Sequence, residues 1–448
     1  MSQPTPRVVG TGPLDLPGPS ASVSAARAPG SRAGLSPLGL GTRIAILLCA
    51  SGLYFMSFFQ RVAVPGTIFD EVQSAFSLSA SGVAALGAVY LYLYSGLQPL
   101  AGILSDAWGP GRTLLASGLF LSLGALAFPC ATSVALLYLT RALVGMGAAL
   151  VYVSMTKELD ELFGERVFPL VLAVGLVLGY AGGLFGTYPF ERLVAAQGWR
   201  QALFEVGLAG ALLWIVAVLL LGRCGRLERR PAGRLGVWVK TVLKNPDFLA
   251  LTLSGSINFA IGFLLQATLG KKFLQDVCGV PSAEAAAFTF TMMLVCMTGV
   301  FCNGVVARHT HRRRPFVVLA ACLTLTTSLL LLAGTHFGLS RGFFLACYAL
   351  LGLAYSFAVI YGTAAKELNP REAAGTSIGL MNTGVYLTVA VVTSLAGAIL
   401  DAYSTQAVRT ATAVVYPREA YRAVFVLCVV LAVISCASAL RLRERPQT

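Results

Sequence analysis

Charge is scarce in this sequence, and so are the residues that assemble reactive centres. Of 448 residues only 12% are Asp, Glu, Lys or Arg, about half the share of a soluble globular domain. The ten cysteines (Cys49, Cys130, Cys224, Cys278, Cys296, Cys302, Cys322, Cys347, Cys428 and Cys436) include no C-x-x-C pair and fall mostly inside apolar runs. They read as small buried hydrophobes rather than as a disulfide framework or metal site. The three histidines, His309, His311 and His336, are expected in loops, where they cannot converge with Cys or Asp in an apolar core. No metal and no cofactor is expected. An enzyme would need clustered nucleophile, acid or metal groups, and the sequence offers none.

What is present is apolar length. The chain is 56% hydrophobic, with a mean hydropathy of +0.77. From Arg43 onward, twelve stretches are long enough to cross a bilayer as helices, each needing about 20 residues. They lie near 43–68, 80–103, 113–131, 135–157, 168–190, 201–222, 247–269, 285–306, 316–335, 342–363, 376–400 and 421–440. The fold class is therefore all-α membrane protein. Its expected divisions are a disordered cytoplasmic tail over 1–41, a six-helix bundle over 42–222, a central cytoplasmic loop over 223–246, a second six-helix bundle over 247–441, and a short tail over 442–448. The first tail holds seven of the twenty prolines and cannot bury a core. In the central loop, Val237 to Leu243 alternates apolar and basic residues and suits the membrane interface.

The net charge of +14 would suggest nucleic acid in a soluble chain. Sorting the 33 basic residues gives another cause. With the N-terminus inside, 23 fall in cytoplasmic segments and eight in external ones, leaving Arg61 and Arg141 within spans. That bias predicts an N-in, C-in orientation. No nucleic-acid partner is needed, and the expected partners are a bilayer and a small-molecule solute with a coupling proton or counter-anion. The lean termini and loops suit a bacterial inner membrane and a chain that functions as a monomer.

The halves repeat each other. Gly145 to Leu159 ends in Lys157-Glu158-Leu159, and Gly352 to Leu368 ends in Lys366-Glu367-Leu368, 209 residues later. The two Lys-Glu pairs read as positive-inside anchors or, more sharply, as gate salt bridges. Such duplication suits a protein whose halves move against each other around a central site.

At the end of span two stands Gly102-Ile-Leu-Ser-Asp106-Ala-Trp-Gly109-Pro-Gly111-Arg112. Gly102 would permit close helix approach, Gly109 a tight turn, and Asp106 a carboxylate on a helix N-terminus or beside an Arg. This run resembles the signature loop of the major facilitator superfamily, and Arg141-Ala-Leu-Val-Gly145-Met-Gly147 in span four is similar to that family's R-x-x-x-G-x-G motif. The resemblance implies two pseudo-symmetric six-helix bundles, rocker-switch transport, a gating role for Gly102, Asp106, Gly109 and Arg112, and a structural or proton-coupling role for Arg141. An arginine six residues into a span could equally snorkel to the interface. The second-half counterpart of Asp106 is Arg308, followed by Arg312 to Arg314, which suits an anchor against anionic lipid. In span five, Gly175 to Gly183 is close to an antiporter glycine motif but has Tyr180 in place of its Pro, which favours packing.

Arg61 carries the most chemistry. It sits deep in span one on one helical face with Tyr54 and Ser57. A guanidinium at that depth needs water, an acid or an anionic ligand. The alternatives are pairing with Asp70, Glu71 or a backbone carbonyl, and contact with an anionic solute. The surrounding run is similar to span one of organophosphate and organic anion transporters, whose second Arg in span seven is replaced here by Ser254, Asn258, Gly262 and Gln266. A monovalent anion therefore fits better than a phosphate ester. Candidate solute contacts by helical spacing are Tyr90, Tyr94 and Gln98 in span two, Asn258 and Gln266 in span seven, and Asn382 and Tyr386 in span eleven. The expected function is secondary active transport of a small polar, anionic organic solute. Proton-coupled drug or cation efflux and a non-transporting, permease-like sensor remain the alternatives.

Overall fold

A computed structural model describes residues 38–225, 239–309, 312–370, 373–410 and 412–443. Most of the expected 1–41 tail, residues 226–238 of the central loop, and His311 lie outside the described residues. The first half comprises α1 (Leu40–Val62), a π-helical turn (Ala63–Thr67), α2 (Phe69–Phe76), α3 (Ala80–Trp108), α4 (Pro110–Ala127), α5 (Val134–Phe185), α6 (Tyr188–Gln197) and α7 (Trp199–Arg223). After the short α8 (Val239–Leu243), the second half comprises α9 (Pro246–Ala267), α10 (Gly270–Cys278), α11 (Ser282–His309), α12 (Arg314–Phe337), α13 (Arg341–Tyr355), α14 (Ala358–Glu367), α15 (Ala374–Ala402) and α16 (Arg418–Arg441). Before α16 a small antiparallel pair forms between β1 (Val408–Arg409) and β2 (Val414–Val415), with Val408 opposite Val415.

In hydrocarbon every backbone polar group must be satisfied within its own segment, so apolar runs of this length fold as helices. Among the described residues eleven segments are long and apolar enough to span. The twelfth is α4, whose first turn Pro110-Gly111-Arg112-Thr113 dilutes an otherwise apolar 18-residue helix. Local chemistry sets the starts. Ser79 accepts from the Gly82 amide, Ser133 from Leu136, and Asn245 from Asp247 and Phe248, capping orphan donors at the first turns of α3, α5 and α9. Hydroxyls inside α12 return to their own helix: Thr324, Thr327, Ser328 and Thr335 each donate to a carbonyl four residues back, which lets a polar stripe sit in an apolar span.

Several boundaries differ from the sequence expectation. Spans four and five, which together make up α5, are two helices parted at Gly164 (φ 70°, ψ 167°) with almost no connecting loop. Span one leaves helical geometry at Val64 (φ −122°, ψ 118°), one residue before Pro65, where the ring removes a backbone donor and disfavours helix in the preceding residue. Span ten is interrupted between α13 and α14. His309 and His336 lie at helix ends rather than in loops. The basic pair Lys271 and Lys272 opens α10 instead of sitting in an external loop.

Close helix approach is found at Gly145 and Gly147, not at Gly102. A methyl at Gly145 would meet the Tyr90 carbonyl oxygen at 2.7 Å, and one at Gly147 would meet the Leu121 nitrogen at 2.5 Å. At Gly102 a methyl would meet nothing within 4 Å. Gly147→Ala is therefore expected to destabilise the packing of α5 on α4 by about 1–3 kcal/mol, while Gly102→Ala leaves stability unchanged. Thermal unfolding of the two purified variants in detergent checks the contrast, and equal melting temperatures would overturn it.

Candidate solute-binding site

A cavity of about 410 Å³ lies between the two halves. We call the face where α1 begins the near face and the face where it ends the far face. The lining residues run from Arg61 of α1 and Gln266 of α9, close to the far ends of those helices, to Lys366 at the near end of α14. The cavity thus reaches toward the near face. Among the described residues nine aromatic rings line it, including Phe58, Tyr152, Tyr180, Phe259, Phe263 and Tyr355, and no carboxylate does.

Arg61 is 4% exposed. Its Nε donates to the Tyr90 hydroxyl at 3.3 Å and its Nη1 to the Tyr386 hydroxyl at 2.9 Å, the latter across the halves. The guanidinium carbon stands 4.5 Å from the ring centre of Phe58, 4.8 Å from Tyr94 and 5.0 Å from Tyr386. Each such cation–π contact contributes about 0.5–2 kcal/mol. The Nη2 group is buried with no hydrogen-bond partner among the described residues. A donor on a full positive charge, in low dielectric on the wall of a cavity, is a ready anion contact.

Arg141 is equally deep, 1% exposed, but differently employed. It donates to the carbonyls of Leu86, Gln60 and Val64. Gln60 and Val64 bracket the break in α1, so Arg141 holds the strand of chain that carries Arg61. This arrangement removes the snorkelling alternative.

The acids that could have neutralised Arg61 serve the far face. Lys272, with its side chain fully buried, meets Asp70 at 2.7 Å and Asp276 at 2.9 Å, and Lys271 meets Glu191 at 2.5 Å and Glu71 at 4.0 Å. Asp70, Glu71 and Glu191 belong to the first half and both lysines to the second. Further bonds cross the same seam: Gln73 donates to the Tyr416 hydroxyl, Ser74 to the Thr412 carbonyl, and the amides of Ala80 and Ser81 donate to the Asp401 carboxylate at 2.7 and 3.1 Å. The far face is closed by this network. Burial pushes the carboxyls of Glu71 and Asp276 above their usual range, against the pull of Lys271 and Lys272 respectively. For Lys272 burial acts downward, but Asp276 and Asp70 outweigh it and raise the ammonium.

The family model of the Major Facilitator Superfamily matches residues 47–390. The chain belongs to the Major Facilitator Superfamily. It is 24% identical over 369 residues, 77% of this chain and 84% of the other, to a probable sulfoacetate transporter of Cupriavidus necator. It is 29% identical to monocarboxylate transporter 13 of Bos taurus over 44% of this chain and 48% of that protein. Among solved structures it resembles a bacterial homologue of the human lysosomal transporter Spinster, in an inward-facing and unoccupied conformation, with a TM-score of 0.71 at 16% identity over 92% of this chain and 100% of that one. Proteins of this superfamily are transporters, not enzymes.

In this superfamily member six of the nine residues expected to touch solute line the cavity: Arg61, Tyr54, Tyr94, Gln266, Asn382 and Tyr386. Three do not. Tyr90 lies behind Arg61 and donates to the Ser57 carbonyl, Gln98 donates to the Ala149 carbonyl, and Asn258 is used by Tyr361 and Ser435 inside the second half. Of the gating loop, Gly109 adopts φ 90° between α3 and α4, Arg112 is exposed, Gly102 accepts from Lys157 at 3.1 Å, and the side chain of Asp106 lies outside the described residues. Arg313 grips Glu367 through two bonds within the second half, and Lys366 lines the cavity at the near end of α14. The other six lining rings, Phe58, Tyr152, Tyr180, Phe259, Phe263 and Tyr355, escaped the sequence reading as solute contacts, although Phe259, Phe263 and Gln266 share helical i, i+4, i+7 spacing.

Opening the far face returns its charges to water and to ordinary pKa values. The closed form then binds more protons at Glu71 and Asp276, so falling pH just above the usual carboxylate range favours closure and rising pH opposes it. Lys272 acts in the same sense, contributing fully below the ordinary lysine value and losing its contribution as pH rises through its elevated one. Spin labels at positions 74 and 412, in a chain whose native cysteines are replaced, should show the longer distance gaining population from pH 5 to pH 8. Lys272→Met, which strands Asp70 and Asp276, is expected to cost the closed form about 3–5 kcal/mol and to shift the distances at every pH. A population that moves the other way with pH would overturn the assignment.

Proposed function

We propose that this transporter carries a small organic anion by alternating access, with Arg61 as the anion contact. The observation that supports it is the unpartnered Nη2 of a buried guanidinium on the wall of a cavity that holds no acid. The relatives' names, a probable sulfoacetate transporter and monocarboxylate transporters, point to the same charge class. The 23 to 8 distribution of basic residues places the near face in the cytoplasm, so the described conformation is open inward and shut outward. The Gly102, Asp106, Gly109 and Arg112 loop then latches the near face when the cavity turns outward. Tyr54, Tyr94, Asn382 and Tyr386 shape the solute's surroundings, and Lys366 draws anions to the mouth. A pump for cationic drugs would require a carboxylate in this cavity, which disfavours that alternative.

The test is uptake of labelled organic anions into proteoliposomes. Hydrogen bonds to a charged group are worth about 1.5–3 kcal/mol, so Arg61→Ala is expected to weaken apparent affinity roughly 10- to 100-fold, with partial recovery in Arg61→Lys. Unchanged anion flux in Arg61→Ala would overturn the proposal, and an absence of flux for every anion in the wild type would favour the sensor reading.

A further inference from the structure

Two side chains on the cavity wall carry buried polar atoms with no hydrogen-bond partner among the described residues. One is Arg61, through Nη2, and the other is Gln266, through both Nε2 and Oε1. Gln266 is 4% exposed and sits one residue before the end of α9, beside the point where Gly66 of the π-helical turn closely approaches the backbone of Ala267. A buried amide with neither its donor nor its acceptor used costs several times what a satisfied one does. On the same helix Ser254 and Asn258 are bonded to Tyr361 and Ser435, and Thr252 and Ser256, whose hydroxyls also have no partner among the described residues, do not line the cavity. The two unsatisfied groups also belong to different halves, Arg61 to the first and Gln266 to the second.

We propose that Gln266 is the second recognition point, and that the solute is a planar monoanion carrying, away from its acid group, a neutral hydroxyl or carboxamide. This rests on the reading of Arg61 as the anion contact. The chemistry follows from the two partners. Arg61 matches one negative charge, and a second one on the group that meets Gln266 would be buried against an uncharged amide. An amide that can both donate and accept is best met by a group that does the same. The aromatic walls favour a flat body that presents a ring face to Phe58, Phe259 or Tyr355. A solute held at one end by each half also joins occupancy to closure, because both contacts are complete only when α1 and α9 are together.

The test compares matched acids on the full-length chain in proteoliposomes at pH 7.5, by uptake and by competition: benzoate, 4-hydroxybenzoate, 4-carbamoylbenzoate and terephthalate, which is a dianion. The wild type is expected to prefer the hydroxy and carbamoyl acids over benzoate at least tenfold and to reject terephthalate by a similar factor. Gln266→Leu is expected to bring the ratio of substituted to plain acid to about one. A wild-type ratio near one, tight terephthalate binding, or a preference that survives in Gln266→Leu would overturn the inference while leaving Arg61 as the anion contact. The wild-type ratio decides the matter even if Gln266→Leu inserts poorly. Binding of these acids that is indifferent to Arg61→Ala would instead remove the reading on which the inference rests.

Discussion

A positive charge placed in the middle of an apolar protein without an acid beside it governs this molecule. The hydration that Arg61 gives up is worth several kcal/mol even after relaxation, and no carboxylate repays it. Ring faces and two tyrosine hydroxyls repay part. Because one of those hydroxyls, Tyr386, belongs to the other half, the partial repayment itself ties the halves together at the site. Under the proposed function, an anion entering the cavity completes what the protein leaves incomplete. A site satisfied by its own acid would have bound a solute only by displacing that acid.

The carboxylates kept away from Arg61 form the closure of the far face. Buried ion pairs are poor sources of net stability, since desolvation offsets most of the attraction, but breaking one by removing a partner is costly. For a seam that must open and close, this is a suitable balance: the closed state is strongly specified without being deep. Asp401 adds a geometric counterpart. The sequence suggested for Asp106, at the end of span two, a place on a helix N-terminus or beside an Arg. At the far face the described structure shows an acid used in the first of these ways, with Asp401 at the end of α15 on the first amides of α3. Asp401 thereby ties the second half to the first at the start of α3.

The helices, the two-bundle architecture and the burial of Arg61 were legible because they depend on local quantities: apolar run length, spacing and the depth of a charge in a span. The positions that escaped depend on where helices break. Without the kink at Val64, Asp70 and Glu71 look like extensions of span one and plausible partners for Arg61. With it they swing onto α2 and meet Lys271 and Lys272, which a continuous span seven would have left in a loop. Helical spacing placed Asn258 and Gln266 on one broad face but could not say which neighbour claims which amide. Packing of α9 against α14 and α16 gives Asn258 to Tyr361 and Ser435, and leaves Gln266 facing the cavity.

The same break explains why two arginines at similar depth have opposite roles. Pro65 and the departure at Val64 release carbonyls that a straight helix would have used internally. Arg141 gathers those of Gln60 and Val64, on either side of Arg61 along the chain. Its charge is spread over carbonyl dipoles and the Tyr90 ring, so it asks for no anion. What it supplies is a fixed backbone. Tyr90 lies between the two guanidiniums, bonded to Arg61 and stacked near Arg141, which makes it a spacer rather than a solute contact. The structural arginine thus sets the position from which the functional one addresses the cavity, and the motif shared with the superfamily in span four serves the site in span one without touching its contents.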